Sequence, residues 1–434
     1  MDRLFSDIKR EERKLWRSYL PHILSTIENH EFRTVRNRYS GLLNIVGNSL
    51  SSDGRAREAK ILYVQTLEDR QRHLGKDHEQ TLDSMYNVSV VLSNTGEYTE
   101  AKQMMEQVLE GQYMALGPHH PNTLRTLGSY AVVRLSQGYY AQAQSIQEQA
   151  LEGFEKILGP EHVRTLQCME TLGSIFREQG NYEEAEAQYR RAIDGYTKEL
   201  GPWEEDTLRA HNKCGSVLVC QGKYEEAEQI CSAVLLRAEE MLGPQHPLTF
   251  NSMRILGSVY LKQKRLEDAE RIGIRALNLA KRAFGAEHPE TLSAIARLGI
   301  ILGNQGRYEE AITLHQQAID AFHNKLGKHN PLTLISLGNL ASAYGQQGQF
   351  EEAEELQIEV FESKKQQLGI DHPSTLKSMQ TLALTCESMG NHRDAINLTT
   401  ECLQLRTNRL GAEHLDTVQS RNFLSEWREM KSNM

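Results

Sequence analysis

The sequence predicts an all-α solenoid of about nine stacked helix pairs with capping helices at both ends, on three observations. L-G or F-G pairs end at Gly75, Gly117, Gly159, Gly201, Gly243, Gly285, Gly327, Gly369 and Gly411, always 42 residues apart. A fixed period of this size means one supersecondary unit repeated, each copy burying its apolar face against its neighbours. A threonine stands six positions after every one of these glycines, from Thr81 to Thr417, so nine joints follow one template without an insertion. Within a unit, apolar residues recur at helical spacing: Leu292, Ile295, Leu298, Gly299 and Leu302 mark one helix, and Ala311, Leu314, Ala318, Ile319 and Phe322 the next. No period-2 pattern suggests a strand.

Taken in order, residues 1–36 read as N-terminal capping or linker helices. The stretch W-R-S-Y-L-P-H-I-L-S-T-I (16–27) is amphipathic, with Trp16, Tyr19, Leu20, Ile23, Leu24 and Ile27 on one face. The array spans 37–416, in units near 37–75, 76–117, 118–159, 160–201, 202–243, 244–285, 286–327, 328–369 and 370–411. The first pair is degenerate: Gly54, Ala59 and Leu67 keep the register, but Tyr39 replaces the threonine. In the other units a first helix, A, runs from the joint to a glycine such as Gly180 or Gly348, where a left-handed turn ends it without a Cβ penalty. Lys264 alone departs from that rule. A second helix, B, returns to the next joint. Small residues eight positions after the threonine (Gly173, Gly257, Ala341) and twenty after it (Ala101, Ala311, Ala395) predict close approach of A and B. Residues 417–434 read as a C-terminal capping helix offering Phe423, Leu424 and Trp427 to the last pair.

The chemistry-bearing residues fall on this template. His78, His120, His162, His246, His288, His372 and His414 share one joint position, which Glu204 and Asn330 hold in the other two units. One histidine per unit does not converge with others on a point, as a metal site needs. Proline follows directly at Pro121, Pro247, Pro289, Pro331 and Pro373, suiting the first turn of a helix, so the histidine is expected near the N-cap. His119 is peculiar to its copy and reads as a loop residue. The six cysteines contain no C-x-x-C pair and read as reduced; Cys214, Cys231, Cys386 and Cys402 stand where other units carry Leu, Tyr, Val or Ala, which predicts core residues. The Y-E-E-A-E runs read as a solvated outer face of the B helices.

No phosphate-binding glycine loop, dinucleotide fingerprint, nucleophile elbow, H-E-x-x-H or calcium loop is present, so no catalytic residue, cofactor site or metal site is assigned, and the chain is expected not to be an enzyme. A net charge of -9 argues against nucleic acid. The charged start and the lack of a long apolar run argue against a leader or a membrane, and the chain reads as cytoplasmic.

The pattern resembles the tetratricopeptide repeat, whose small, small and small-or-bulky positions are matched by Ala341, Ala353 and Val360 in T-L-I-S-L-G-N-L-A-S-A-Y-G-Q-Q-G-Q-F-E-E-A-E-E-L. The 42-residue form with L-G-x-x-H-P-x-T-L joints is similar to kinesin light chain repeats and to the repeats that close fungal nucleotide-binding receptors. It covers residues 39–431. The resemblance implies a right-handed α-α superhelix, a concave face lined by the A helices, and protein binding rather than catalysis. It also leaves two readings of 16–27, a cap or the segment that joins the receptors' nucleotide-binding module to their repeats.

On that basis the groove is read from positions 2, 5, 6, 9, 12 and 13 after each threonine. There Arg125, Arg177, Arg209, Lys213, Arg254, Lys262, Arg297 and Lys377 stand against Asp83, Glu170, Glu178 and Glu387; eight minus four is a net +4. Such a face would favour a protein or peptide with an acidic segment, held by bidentate guanidinium bonds. In peptide-binding relatives an asparagine at position 6 holds the ligand backbone, and only Asn87 and Asn339 keep it. The site residues expected are therefore Asn87, Arg125, Arg209, Lys213, Arg254, Arg297, Asn339 and Lys377. The function expected is a non-enzymatic interaction scaffold, as the sensor part of a fungal receptor-like system. Alternatives are a kinesin-light-chain-like cargo adaptor or an accessory subunit of an enzyme, and self-association stays open.

Overall fold

The computed structural model describes residues 19–20, 22–27, 29, 39–52 and 55–432. Trp16, Gly54 and most of the 1–36 segment lie outside these residues. Helices account for the described chain from Ser40 to Ser432, and they fall into two compact units, one ending at Ser136 and the other beginning at Gln137.

The first unit holds α1 (Ser40–Ser52), α2 (Ala56–Leu74), α3 (Glu79–Thr95), α4 (Tyr98–Ala115) and α5 (Pro121–Ser136). Each packs on the next in sequence, and Leu43, Val46, Leu50, Leu62, Val88 and Met105 form a continuous core. Leu20 and Ile27 of the N-terminal segment are buried in this core with Ile23 and Leu24 packed against it. Tyr19, placed by the sequence pattern on the same face, is instead 55% exposed.

The second unit alternates A and B helices: α6 (Tyr140–Leu158), α7 (Val163–Glu178), α8 (Tyr182–Glu199), α9 (Glu205–Cys220), α10 (Tyr224–Met241), α11 (Pro247–Lys262), α12 (Leu266–Phe284), α13 (Pro289–Asn304), α14 (Tyr308–Leu326), α15 (Pro331–Gln347), α16 (Phe350–Leu368), α17 (Pro373–Ser388), α18 (His392–Leu410) and α19 (Leu415–Ser432). Neighbours in sequence are neighbours in space, and successive A helices also touch one another, as α9 touches α11 and α13 touches α15. On α19, Leu424 and Trp427 are buried and Phe423 stacks on Trp427, covering Leu382, Ala383 and Ala395 of the last pair.

The joint template has a hydrogen-bond basis. All seven joint histidines place Nδ1 where it accepts the backbone N–H two residues on, at 3.1–3.3 Å, as His162 does from Arg164 and His372 from Ser374. This satisfies an orphan donor of the first helical turn. Asn330 does the same through Oδ1 at 2.9 Å, while Glu204 makes no such bond. The threonine six positions after the glycine closes the loop: in six joints its hydroxyl donates to that glycine's carbonyl at 2.7–3.0 Å. The invariant spacing is thus the span of one clasp, from glycine carbonyl to threonine hydroxyl. His162→Ala should cost about 1 kcal/mol by urea or thermal unfolding, and His162→Asn should cost little, because asparagine already caps α15.

The small residues lie where helices meet. The alanines twenty positions after the threonine, Ala101 to Ala395, are all fully buried. Eight positions after the threonine, glycine is matched by a large side chain of the paired B helix: a Cβ on Gly173 would sit 2.9 Å from the Tyr189 ring, and one on Gly299 2.7 Å from the His315 ring. His315 is 1% exposed, its Nδ1 meets no described partner, and burial lowers its pKa from 6.5 to about 4. The unfolded chain therefore binds a proton that the folded chain refuses between those values. His315 should contribute full stability above pH 6.5 and lose about 3 kcal/mol of it as pH falls to 4. His315→Gln, the residue at the equivalent position 357, should flatten that part of a stability-versus-pH curve.

Candidate functional site

The sequence-level suspects for metal or redox chemistry are spent on structure. The joint histidines are caps, and among the described residues no three or more His, Cys, Asp or Glu side chains are placed to hold a metal ion. Five of the six cysteines are buried, and burial pushes the Cys168 and Cys231 thiols up to about 12, so neither offers a thiolate near neutral pH. No helix of the described residues is long and apolar enough to cross a membrane. The E-E-A-E runs, and the E-D-A-E that replaces them at 267–270, are more than a solvated face: Glu186 meets Lys223 at 2.8 Å, Glu228 meets Arg265 at 2.8 Å, and Glu270 meets Arg307 at 2.7 Å, each tying one repeat to the next.

The A-helix positions chosen from sequence separate into paired and unpaired cations. In the first unit Arg125 lies over the Tyr86 ring and pairs with Asp83 at 3.3 Å, and Asn87 is half-buried on α3. In the second unit Glu170 of α7 is 3% exposed and gathers three partners: Arg209 at 3.0 Å, Lys213 at 3.4 Å and the Tyr196 hydroxyl at 3.1 Å. Arg209 also meets Asp206 at 2.5 Å. These two cations are neutralised by a carboxylate from the preceding repeat. Asn339 is half-buried on α15, and Lys377 on α17 is exposed. Its charge adds to burial in lowering the Lys364 ammonium to about 8.

Arg254 and Arg297 differ. Arg254 binds the Asn251 side-chain carbonyl at 2.6 and 3.0 Å, and neither arginine forms a salt bridge with a described residue. Burial holds both guanidinium groups below their ordinary range, Arg297 at about 10; a further cation adds to this, Arg177 for Arg254 and Arg254 for Arg297, and the Glu290 carboxylate partly offsets it for both. Arg297 is exposed to solvent on one side and crowded by protein atoms on the other. Both line a cavity of about 280 Å3 between α11, α12 and α13, whose walls include Phe250, Ile272, Ile300 and Ile301.

The cavity has a cause in the sequence. The B-helix position that carries Tyr63, Gln147, Tyr189, Cys231, His315 and Gln357 elsewhere is Gly273 here, and it faces Gly257 rather than a compensating large residue. Two glycines at one A–B contact leave the space that Tyr189 fills over Gly173. A second hollow of about 610 Å3 lies on the B-helix side, but it is shallow, and its Arg275 and Arg271 are already held by Glu239 and Asp268.

Sequence reasoning named Arg254 and Arg297 but missed Asn251, Gly273 and the neutralising role of Glu170. A signal for Gly273 was present, as the smallest residue in its column of repeats.

Comparison with known proteins agrees with this architecture. The tetratricopeptide repeat family matches residues 39–114, 123–198, 206–273, 254–322, 292–366 and 332–408. No curated protein matches the sequence. Among solved structures, a Rap protein complexed with competence and sporulation factor is similar over 86% of this chain and 99% of its own, with 13% identity and a TM-score of 0.54. Kinesin light chain nearly identical TPR-like repeats of Podosopora anserina align over 47% of this chain and 97% of theirs, with 22% identity and a TM-score of 0.40. BtubC of P. vanneervenii aligns over 54% and 92%, with 16% identity and a TM-score of 0.43. With the family matching most of the sequence, and with paired helices, small contact residues and capped joints at its period, the chain belongs to the tetratricopeptide repeat family.

Proposed function

We propose that this chain is a non-enzymatic scaffold that captures an acidic segment of a partner protein on the face formed by its A helices. The observation that carries the reading is the Arg254–Arg297 pair, two cations that no described carboxylate holds in a salt bridge, beside an apolar cavity where Glu290 is the only carboxylate in the lining. A guanidinium in that setting gains most from a carboxylate that binds it through two hydrogen bonds. The cavity beside it takes an apolar side chain, so the segment recognised combines Asp or Glu with a bulky apolar neighbour. The Rap protein's complex with competence and sporulation factor is a precedent for ligand binding on this fold. As a sensor half of a fungal receptor-like system or as a cargo adaptor, the chain would use the same face.

Selection of a random displayed peptide library on the purified chain tests the reading. Enriched peptides should carry an acidic residue next to a large apolar one, and their affinity should fall as salt rises. Enrichment of basic or uncharged peptides, or none, would overturn it.

A further inference from the structure

The second unit makes contact with itself across more than two hundred residues. The Arg409 guanidinium stacks on the Tyr139 ring, 3.4 Å from its centroid, donates to the Gln137 carbonyl at 2.7 Å, and meets Asp371 at 3.2 Å. His414 Nε2 donates to the Glu178 carbonyl at 3.2 Å while its Nδ1 accepts the Asp416 N–H as a helix cap. That is one neutral tautomer serving two bonds. Pro373 packs on Gly138, and Leu415 packs on Gly180. The last two contacts are one contact repeated, because both partners advance by 42 residues from the first to the second. In each, the joint that opens an A helix seats on the turn that ends an earlier one.

We infer that the repeats from Gln137 onward close into a ring held by this latch, and that the latch opens to admit a partner segment to the A-helix face. The second half rests on the function proposed above. Two features single the contact out as built. Arg409 is a nearly buried cation whose ion pair with Asp371 lies within its own end of the unit, while the Gln137 carbonyl and the Tyr139 ring reach it only when the ends meet. His414 adds to the common cap a bond that asparagine, the alternative cap in this chain, is too short to make.

Disulfide trapping in the full chain tests the closure. A Cβ on Gly180 would lie 3.8 Å from the Leu415 Cβ, a separation that a disulfide spans. Lys264 holds a side chain at the equivalent left-handed position, so the backbone strain that Gly180→Cys adds is one the fold already bears once. In a Cys220→Ser background, which removes the exposed native thiol, Gly180→Cys with Leu415→Cys should form an intramolecular disulfide in dilute monomer, located by peptide mapping. Failure to cross-link while both thiols react with maleimide, or cross-linking only between molecules, overturns the ring.

Two variants then probe the latch. His414→Asn keeps the helix cap, and with Arg409→Ala it should slow cross-linking at least tenfold without lowering the melting temperature of α19's repeat. An unchanged rate overturns the latch at these residues.

Gating is read from the association rate of a selected acidic peptide, which should fall at least tenfold in the oxidised protein and recover on reduction. Equal rates in both forms overturn gating alone. Loss of binding in both forms overturns the functional reading and the gating with it, and the cross-link still decides the ring.

Discussion

Ala311→Arg is expected to unfold the second unit around α14 at a temperature on the order of 10 °C below the parent's. Ala311 is fully buried on α14 in the core that joins it to α13, at a position where every complete repeat carries alanine. An arginine there must displace packed atoms, which costs about 1–3 kcal/mol, and must bury a cation with no carboxylate in reach, which costs about as much again. A change of this size moves the melting temperature of a domain of this length by a few degrees per kcal/mol. Because repeats are stabilised by their neighbours, the loss should spread, so differential scanning calorimetry should show a broadened or split transition. A melting curve that matches the parent would mean that A and B helices do not meet at this alanine.

Reversing the charge at both cavity arginines, Arg254→Glu with Arg297→Glu, is expected to weaken an acidic peptide by roughly 100-fold or more. Each charge-assisted bond contributes about 1.5–3 kcal/mol, and 1.4 kcal/mol is a factor of ten. Neither arginine holds a salt bridge with a described residue, but the two new carboxylates would stand beside Glu290, so a melting curve accompanies the affinity and Arg254→Gln with Arg297→Gln, which adds no charge, serves as the fold-sparing control. The same reversal at Arg209 is a poor test, because it would set a second carboxylate against buried Glu170 and damage the fold. Gly273→Tyr separates charge from shape. It directs a ring into the space that Tyr189 fills over Gly173, where the new Cβ would come 3.0 Å from the Ile301 Cδ1, so it should remove the preference for an apolar neighbour at a small cost in stability as Ile301 shifts. Isothermal titration with one selected peptide decides between these outcomes. Unchanged affinity in the double arginine variant would locate the ligand elsewhere.

What the sequence made legible follows from repetition. Nine copies of one joint expose the fixed glycine-to-threonine spacing and the histidine near the N-cap as a template, and helical spacing within a unit separates the A helix from the B helix; the clasp behind that spacing, made in six joints, came only with the structure. The burial of Ala101 through Ala395 and the packing of Phe423, Leu424 and Trp427 at the last pair could be read in the same way. Contacts whose partners belong to different repeats were less accessible. Arg209 and Lys213 look like free groove cations until Glu170, one repeat earlier, is seen beneath them. Tyr19 fits the apolar stripe of its segment yet points to solvent, because periodicity gives a direction around the helix axis but not the extent of the neighbouring surface. The meeting of Arg409 with Tyr139 depends on how far each repeat rotates against the last, a quantity summed over packing at every interface. The division between Ser136 and Gln137 falls within a repeat that has no insertion and no unusual composition.

The ion-pair ladder along the B helices gives the second unit an elastic asymmetry. Its A-helix side is held by close-packed apolar contacts and by Glu170, buried beneath Arg209 and Lys213 and so little screened by salt, while Glu186–Lys223, Glu228–Arg265 and Glu270–Arg307 hold the other side through pairs open to solvent. Exposed pairs of this kind contribute little to stability singly, and salt weakens them as the screening length falls from about 10 Å at 0.1 M to about 3 Å at 1 M, close to their own separations. A beam with one stiff edge and one electrostatic edge changes its bending resistance with ionic strength while its fold stays the same. The curvature that partners meet is thereby coupled to the salt of the surrounding solution.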